Sequence, residues 1–292
     1  HLDYHVTMEN YAKAKNRLFR NALTPSKKAY SKTAVVNIDS PWWSEIIEGT
    51  KANLITYGIS GQADLRAEEI CLSPGGASFT INFRGQRVPF SWALSGRFNV
   101  YNCLAAVGVG LSRWFPLEDI VAVLQKAPAV PGRLQAVENP LGLKIYVDFA
   151  HSDDSLLNVL ECLAEFKKGK VITLFGCGGN RDTAKRPRMA RVSEEHSDIV
   201  IVTSDNPRNE DPEEIARQII AGFSNKGCYI VELDRKKAIE RAIDIATPED
   251  IILIAGKGHE PYQIFAHKTI EFDDRKVAFQ LCQQKAELIS LS

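Results

Sequence analysis

Asp205-Asn206-Pro207-Arg208 sets a carboxylate, a carboxamide and a guanidinium around one proline. Pro207 stiffens the backbone between them. Arg208 offers a planar cation that can grip a carboxylate through two parallel hydrogen bonds. The segment follows the apolar run Ile199–Val202, which reads as a buried parallel strand. It precedes Glu210-Asp211-Pro212, which opens a helical pattern ending near Phe223. A polar turn at the carboxyl end of a parallel strand is where open α/β sheets bind ligands. Taken alone, the segment reads equally as a strand-to-helix turn with a solvated Arg.

Three further loops share that placement: Asp148-Phe149-Ala150-His151; Gly176-Cys177-Gly178-Gly179-Asn180-Arg181-Asp182 with Lys185-Arg186-Pro187; and Gly256-Lys257-Gly258-His259-Glu260. Each follows an apolar run, so a doubly wound sheet would bring all four to one edge. Together they supply cations, carboxylates, histidines and glycine-exposed backbone amides. That mixture suits a zwitterionic ligand and phosphate oxygens. Each loop also has a plain structural reading. The Gly176 segment resembles a dinucleotide turn, but Arg181 stands at the third-glycine position and the dehydrogenase fingerprint fails. Gly256 to Glu260 reads as a flexible turn, and His151 and His259 as satisfied structural histidines. Four such loops in register at strand ends are what favours a site.

The elements that must position these loops are legible in the spacing of apolar residues. Strands are expected at 144–147, 170–175, 198–202, 228–232 and 250–255, with helices at 152–166, 183–195, 212–223 and 236–246. This alternation predicts a doubly wound, mostly parallel sheet. A hairpin (262–265 with 269–272) and a helix at 274–288 follow. The first part of the chain is different. Helical character at 11–19 is followed by strands at 34–38 and 53–57, and Ser40-Pro41 predicts a helix to about 48. Residues 67–92 alternate as β structure around an Arg84-Gly85-Gln86 turn, before helices at 98–111 and 117–125. Pro128-Ala129-Val130-Pro131-Gly132 is the best linker candidate.

Composition fits two ordinary globular domains. The chain has 292 residues, 45% hydrophobic and 25% charged. Lys+Arg and Asp+Glu are both 36, so no net field draws it to nucleic acid or to an anionic membrane. No apolar run approaches the roughly 18 residues of a membrane span. Cys71, Cys103, Cys162, Cys177, Cys228 and Cys282 are scattered, mostly within apolar stretches, with no Cys-x-x-Cys pair. This usage predicts reduced, buried thiols and a cytoplasmic location. The first residue is His1 and no secretory signal follows, so the chain is expected to begin inside something longer.

The stretches FGCGGNRDTAKRP, VTSDNPRNEDP and IAGKGHEPYQ resemble the C-terminal domain of the Mur ligases. HLDYH, SGRFNVYN, PGRL and VDFAH resemble successive markers of the same family, in family order, from His1 to about Phe272. The resemblance implies an α/β architecture: the later half of a central ATPase domain (residues 1–130), then a Rossmann-like, amino-acid-binding domain (residues 131–292). It implies an ATP-dependent amide ligase of peptidoglycan precursor synthesis. Such a ligase phosphorylates the terminal carboxylate of UDP-N-acetylmuramoyl-L-Ala-D-Glu, and the amine of meso-diaminopimelate attacks the acyl phosphate. Closure of one domain on the other would bring the amine into reach.

It also implies residue roles. Arg208 would hold the distal carboxylate of diaminopimelate, with Asp205, Asn206, Arg181, Gly256 and Glu260 completing that site. Lysine has no distal carboxylate, so relatives that add lysine have no use for this Arg. Asn99 and Asn102 match adenine-recognising asparagines, which otherwise read as a helix start. Arg133 and Asp148 match residues near the ribose and phosphates. His151, Lys185 and Lys15 are matched to catalysis. Lys15 corresponds to a lysine carbamylated by carbon dioxide, an anionic oxygen donor suited to Mg²⁺, with His1 as a further metal ligand. By sequence alone Lys15 is a solvated Lys on an amphipathic helix. The full-length protein is expected to be a monomer.

The chain departs from the family in three ways. No G-x-x-x-x-G-K-[ST] phosphate loop occurs, whereas the family carries one upstream of the His1 position. The uridine-nucleotide domain is absent too. A fragment is therefore expected, alone inactive, with the first strands of its central sheet missing and an apolar face or edge exposed. Phosphate-releasing turnover by these residues alone would contradict that expectation. Around His151 the chain reads Asp148-Phe149-Ala150-His151-Ser152-Asp153, where the family more often has D-Y-A-H-T-P. Two other functions remain open: a non-catalytic amino-acid-binding module, and a ligase of the superfamily that adds glutamate to folate. The second has no use for the Asp205–Arg208 turn.

Overall fold

The computed structural model describes residues 5–22, 32–73, 76–128, 130–225, 227 and 229–291. The chain forms two compact units, His1–Pro128 and Ala129–Ser292.

In the first unit, α1 (Met8–Arg17) is capped by Thr7, whose hydroxyl accepts from the Asn10 amide, and runs on into a π-helical turn. A five-stranded sheet follows in sequence order: β1 (Thr33–Asn37), β2 (Asn53–Gly58), β3 (Leu65–Ser73), β4 (Gly76–Phe83) and β5 (Gln86–Trp92). The pairs β1–β2 and β2–β3 are parallel, whereas β3, β4 and β5 form an antiparallel meander. Among the described residues β1 is the outer strand. α3 (Arg97–Ser112) packs Val100, Leu104 and Val107 against Leu65, Ile81 and Phe90 of the sheet, and α4 (Leu117–Leu124) adds Leu117 and Val121. Burying each such side chain contributes about 1.5–3 kcal/mol. The helix expected from Ser40-Pro41 is shorter: α2 covers only Trp43–Ile47 and has no side-chain cap. Ser40 instead closes a turn, its Oγ accepting from the Trp42 amide at 3.4 Å and its carbonyl from the Trp43 amide at 3.2 Å.

The second unit holds a six-stranded sheet ordered β10-β9-β8-β11-β7-β6. Its strands are β6 (Gln135–Val137), β7 (Lys144–Asp148), β8 (Val171–Phe175), β9 (Ile199–Val202), β10 (Tyr229–Val231) and β11 (Ile251–Ala255). All neighbours are parallel except β6 on β7. β8 and β11 are buried along their whole length, which explains their continuous apolar runs. The three-residue β6 was not expected; it is too short for alternation to show. Helices α5 (Asp153–Ala164), α6 (Lys185–His196), α7 (Pro212–Ile220) and α8 (Arg235–Ile245) connect the parallel strands, and α9 (Asp274–Leu291) ends the unit. Ala238, Ile239, Ala242 and Ile243 of α8 and Ala278, Leu281 and Cys282 of α9 share a core with Ile172, Leu174, Ile252 and Ile254. Start signals are explicit: Ser152 and Ser155 form a capping box on α5, Asp211 caps α7 ahead of Pro212, and Asp234 caps α8. Because β7, β8, β9 and β11 run parallel, their carboxyl ends and following loops lie along one rim. After β11 comes the hairpin β12 (Tyr262–Ile264) and β13 (Thr269–Glu271). Of the described cysteines, Cys71 is exposed, against expectation, and the other four are buried.

Candidate active site

The β9 turn is built into the rim by its own side chains. Asp205 and Asn206 are buried, at 8% and 2% exposure. Asn206 joins two loops: its Nδ2 donates to Glu260 Oε2 at 2.9 Å, and its Oδ1 accepts from the Ile264 amide at 2.9 Å. Gln263 Nε2 donates to the Asp205 carbonyl at 2.8 Å. Gly256 follows β11 with φ +114, a region closed to ordinary side chains, and a Cβ there would stand 2.6 Å from Asp205 Oδ2. Glycine at this position therefore lets the Asp205 carboxylate lie against the β11 loop.

Arg208 has a left-handed backbone, φ 54, with its amide bonded to the Ile264 carbonyl at 3.0 Å. Its Nη1 donates to the Gly179 carbonyl at 2.9 Å and, more weakly, to the Asn206 carbonyl at 3.5 Å. The half-buried guanidinium is thus held by one nitrogen, and among the described residues Nε and Nη2 have no partner. Arg208 also lines a cavity of about 240 Å³ with Pro207, Glu210, Phe265, His267 and Lys268. A larger cavity of about 610 Å³ lies beside Ser204, Asp234, Gln263 and Phe265. Arg181 is exposed and donates to the Asn180 carbonyl at 3.3 Å. The six residues expected to hold the amino acid therefore come together on one rim.

A second cluster surrounds Phe149. Asp148 is 2% exposed and its Oδ2 accepts from the Leu134 amide at 2.6 Å. Burial pushes its carboxyl up to about 6, against the backbone amides of Leu134 and Ala150 and the nearby Arg133. Asp148 thus fixes the turn that carries Arg133, whose guanidinium lies 5.6 Å from the centre of the Phe149 ring. The same turn needs Gly132, φ +72, because a Cβ would stand 2.3 Å from the His259 amide nitrogen. His151 is exposed, with Nδ1 2.8 Å from the Phe149 carbonyl, and its own carbonyl accepts from Lys185 Nζ at 2.6 Å. The Gly256 amide donates to the Asp148 carbonyl at 3.0 Å, so the two clusters share a backbone link.

In the first unit Asn99 is buried and turned inward: its Nδ2 donates to the Ser95 carbonyl at 2.7 Å. The cap of α3 is Gly96, not an asparagine. Asn102 is exposed and donates to Asn99 Oδ1 at 3.2 Å. Lys15 is exposed on α1, its ammonium 5.1 Å from the centre of the Tyr11 ring. His1 lies outside the described residues. Among those residues no group of three His, Cys, Asp or Glu side chains could hold a metal ion.

Residues 132–258 match the family described as Mur ligase, glutamate ligase domain, and residues 1–110 match the Mur ligase middle domain. The chain belongs to the Mur ligases. The UDP-N-acetylmuramoyl-L-alanyl-D-glutamate–2,6-diaminopimelate ligase of Chlamydia pneumoniae is 45% identical over 285 residues, 96% of this chain and 57% of the relative. The protein of the same name from Clostridium botulinum is 40% identical over 286 residues, 97% of this chain and 57% of the relative. A solved structure of such a ligase is 33% identical, with a TM-score of 0.63, covering 98% of this chain and 58% of that one. The chain thus spans little more than half the length of these relatives.

Several side chains that build this Mur ligase rim gave no sequence signal beyond their charge. Arg186 is fully buried and donates from Nη1 to Glu210 Oε2 and Gln218 Oε1, both at 2.8 Å. That bond to Arg186, chiefly, holds the Glu210 carboxyl below the usual range, and Glu210 Oε1 accepts from the Asn180 amide. Lys257, one of the cations that the four loops supply, is fully buried and donates to the Tyr262 carbonyl. Burial lowers its pKa, and Arg235 lowers it further. Among the described residues no helix is long and apolar enough to cross a membrane.

Proposed function

We propose that this chain selects the amino acid in a cytoplasmic ligase that adds meso-diaminopimelate to UDP-N-acetylmuramoyl-L-Ala-D-Glu for peptidoglycan. The observation that carries this reading is Arg208, anchored by Nη1 with its other two nitrogens open. A guanidinium so held presents a flat pair of donors, which fits a carboxylate better than it fits an ammonium or an alkyl end. The names of the relatives support the same choice of amino acid. Asp205 and Glu260 place two carboxylates near the same turn, where the ammonium of the distal centre would lie.

ATP supplies the phosphoryl group that turns the dipeptide carboxylate into an acyl phosphate. The diaminopimelate amine then forms the amide bond as phosphate departs and the amine loses its proton. This chain's own part is orientation: a rim holding the far end of the amino acid leaves the near amine as the only nucleophile presented. Arg133, braced by Asp148 and Phe149, and Lys185, braced on the His151 carbonyl, bring cations to the neighbouring stretch of rim, suited to phosphate oxygens. In the adenine role Asn102 faces solvent and Asn99 orients it. Mg²⁺ belongs to this reading through a carbamylated Lys15 and His1. Of these two, the structure describes only Lys15, and no step is derived through the ion.

Calorimetry on the chain tests the reading. meso-Diaminopimelate should bind at least about tenfold more tightly than L-lysine, and Arg208→Ala should remove the difference, since a hydrogen-bonded charge contributes about 1.5–3 kcal/mol. Equal affinity for both amino acids in the parent chain would remove the basis for the reading.

A further inference from the structure

We infer that Arg235, paired with Asp274, is a positioning residue that sets the width of the amino-acid site. Two of the loops that line this site, after β9 and after β11, do not leave neighbouring strands. β8 lies between them. With strands about 4.8 Å apart, the two loops start roughly 10 Å from each other. The backbone ladder cannot fix that distance, because each loop begins where its ladder ends. The Arg208 amide meets the Ile264 carbonyl further out, at 3.0 Å, but at the strand ends themselves side chains must span the gap.

Arg235 does so from the first position of α8. It is 1% exposed as a residue, with a fully buried side chain. Its Nη1 donates to the Ser204 carbonyl at 3.2 Å and its Nη2 to the Ala255 carbonyl at 3.1 Å. Ser204 directly precedes Asp205, and Ala255 directly precedes Gly256. One rigid guanidinium therefore holds the last carbonyls before both halves of the site. It is itself held by Asp274, the first residue of α9: Nε donates to Oδ1 at 2.7 Å and Nη2 to Oδ2 at 2.8 Å. Burial opposes the charge on Arg235, but Asp274 more than offsets it and raises its pKa, with Asp205 and Glu260 adding to the effect.

The geometry explains why an arginine is needed. The planar fork serves three acceptors at fixed angles, and a lysine ammonium on a flexible stem cannot reach both carbonyls and the carboxylate in one pose. It also gives the C-terminal helix a task, since α9 contributes the carboxylate that orients the fork. Gln263 and Asn206 lace the loops together further out, but Arg235 alone among these touches the carbonyls at both strand ends. Arg235 reaches only backbone and Asp274, so it acts on a ligand through Asp205 and Gly256.

This inference rests on the amino-acid site proposed above, and two readouts keep the two claims separable. The variants are Arg235→Lys and the double change Arg235→Met with Asp274→Leu. Replacing a buried ion pair by apolar residues of similar volume is often neutral or stabilising, so the double variant should keep its fold. We expect thermal midpoints within about 4 °C of the parent. We expect amide hydrogen exchange to rise about tenfold in residues 203–208 and 256–265, and to stay level in β7 and α5. We expect affinity for meso-diaminopimelate to fall about tenfold. A folded double variant with parental exchange in both loops would overturn the inference, as would a folded variant with loosened loops and parental affinity. Unfolding of both variants would overturn it too, because Arg235 would then be carrying the fold and not a spacing. If the parent itself binds no diaminopimelate, the amino-acid site fails, and the exchange data still decide whether Arg235 sets the loops.

Discussion

Replacing Asp148 by Asn should make the second unit more stable at neutral pH and poorer at holding Arg133 in place. The carboxyl is 2% exposed, and burial pushes it up to about 6 from an ordinary 3.8. Below 3.8 the group is protonated in both the folded and the unfolded chain and exacts no penalty. Between 3.8 and about 6 the unfolded chain gives up this proton first, so stability falls as pH rises. Above about 6 the penalty is complete and constant. A gap of about two pH units corresponds to about 3 kcal/mol. An asparagine keeps an acceptor for the Leu134 amide but adds a buried NH₂, which costs about 1–2 kcal/mol if unbonded. The expected net gain at pH 7.5 is therefore about 1–2 kcal/mol, turning into a net loss of about 1–2 kcal/mol at pH 3.5, where only the amide cost remains. Urea unfolding followed by circular dichroism, variant minus parent, measures it. Trp42, Trp43, Trp92 and Trp114 all lie in the first unit, so indole fluorescence supplies an internal control that should not move. A variant less stable than the parent at pH 7.5, with an unchanged pH profile, would refute the assignment of burial as the dominant cause.

Gly256→Ala should cost the second unit about 1–3 kcal/mol, because φ +114 is closed to alanine and the new Cβ meets the Asp205 carboxylate; an unchanged urea midpoint would contradict this. Tyr101→Phe should cost the first unit about 1 kcal/mol, read by indole fluorescence, since the phenol donates to Asp39 Oδ2 at 2.9 Å. Burial first, and then Asp39, pushes that phenol up to about 12, so its absorbance should not show ionisation at pH 11 in the folded chain. Asn206→Ala should cost about 1–3 kcal/mol and leave Glu260 only its longer ion pair to Lys257 at 3.9 Å, because a 2%-exposed carboxamide loses both its loop contacts.

The sequence made the rim legible for a simple reason. Buried parallel strands are continuous apolar runs, and each run stops where its polar loop starts, so the ends of β7, β8, β9 and β11 could be read directly. What it hid were partnerships. Asn206 and Glu260 are 54 positions apart, and Arg235 and Asp274 are 39 apart; nothing local links either pair. Arg186, Arg235 and Lys257 are buried, and the sequence does not show it, because charge is visible in a sequence and side-chain direction is not. Asn99, matched to adenine recognition by the resemblance and otherwise read as a helix start, turns its amide back to Ser95, a bond that no local pattern shows. Ser40-Pro41 has the chemistry of a helix start, but the neighbouring Asp39 accepts from the Ile59 amide at 2.6 Å and the Ser60 hydroxyl at 2.6 Å, which holds the segment as a turn. β6 pairs on one side only and is too short to show a period.

A crystal structure of the chain with meso-diaminopimelate bound tests the central claim most directly. The distal carboxylate should lie flat against the Arg208 guanidinium at about 2.8 Å, on Nε and Nη2, with the neighbouring ammonium beside Asp205 and Glu260. A ligand seated elsewhere, in the cavity beside Ser204 and Phe265 or with both carboxylates turned away from Arg208, would contradict it.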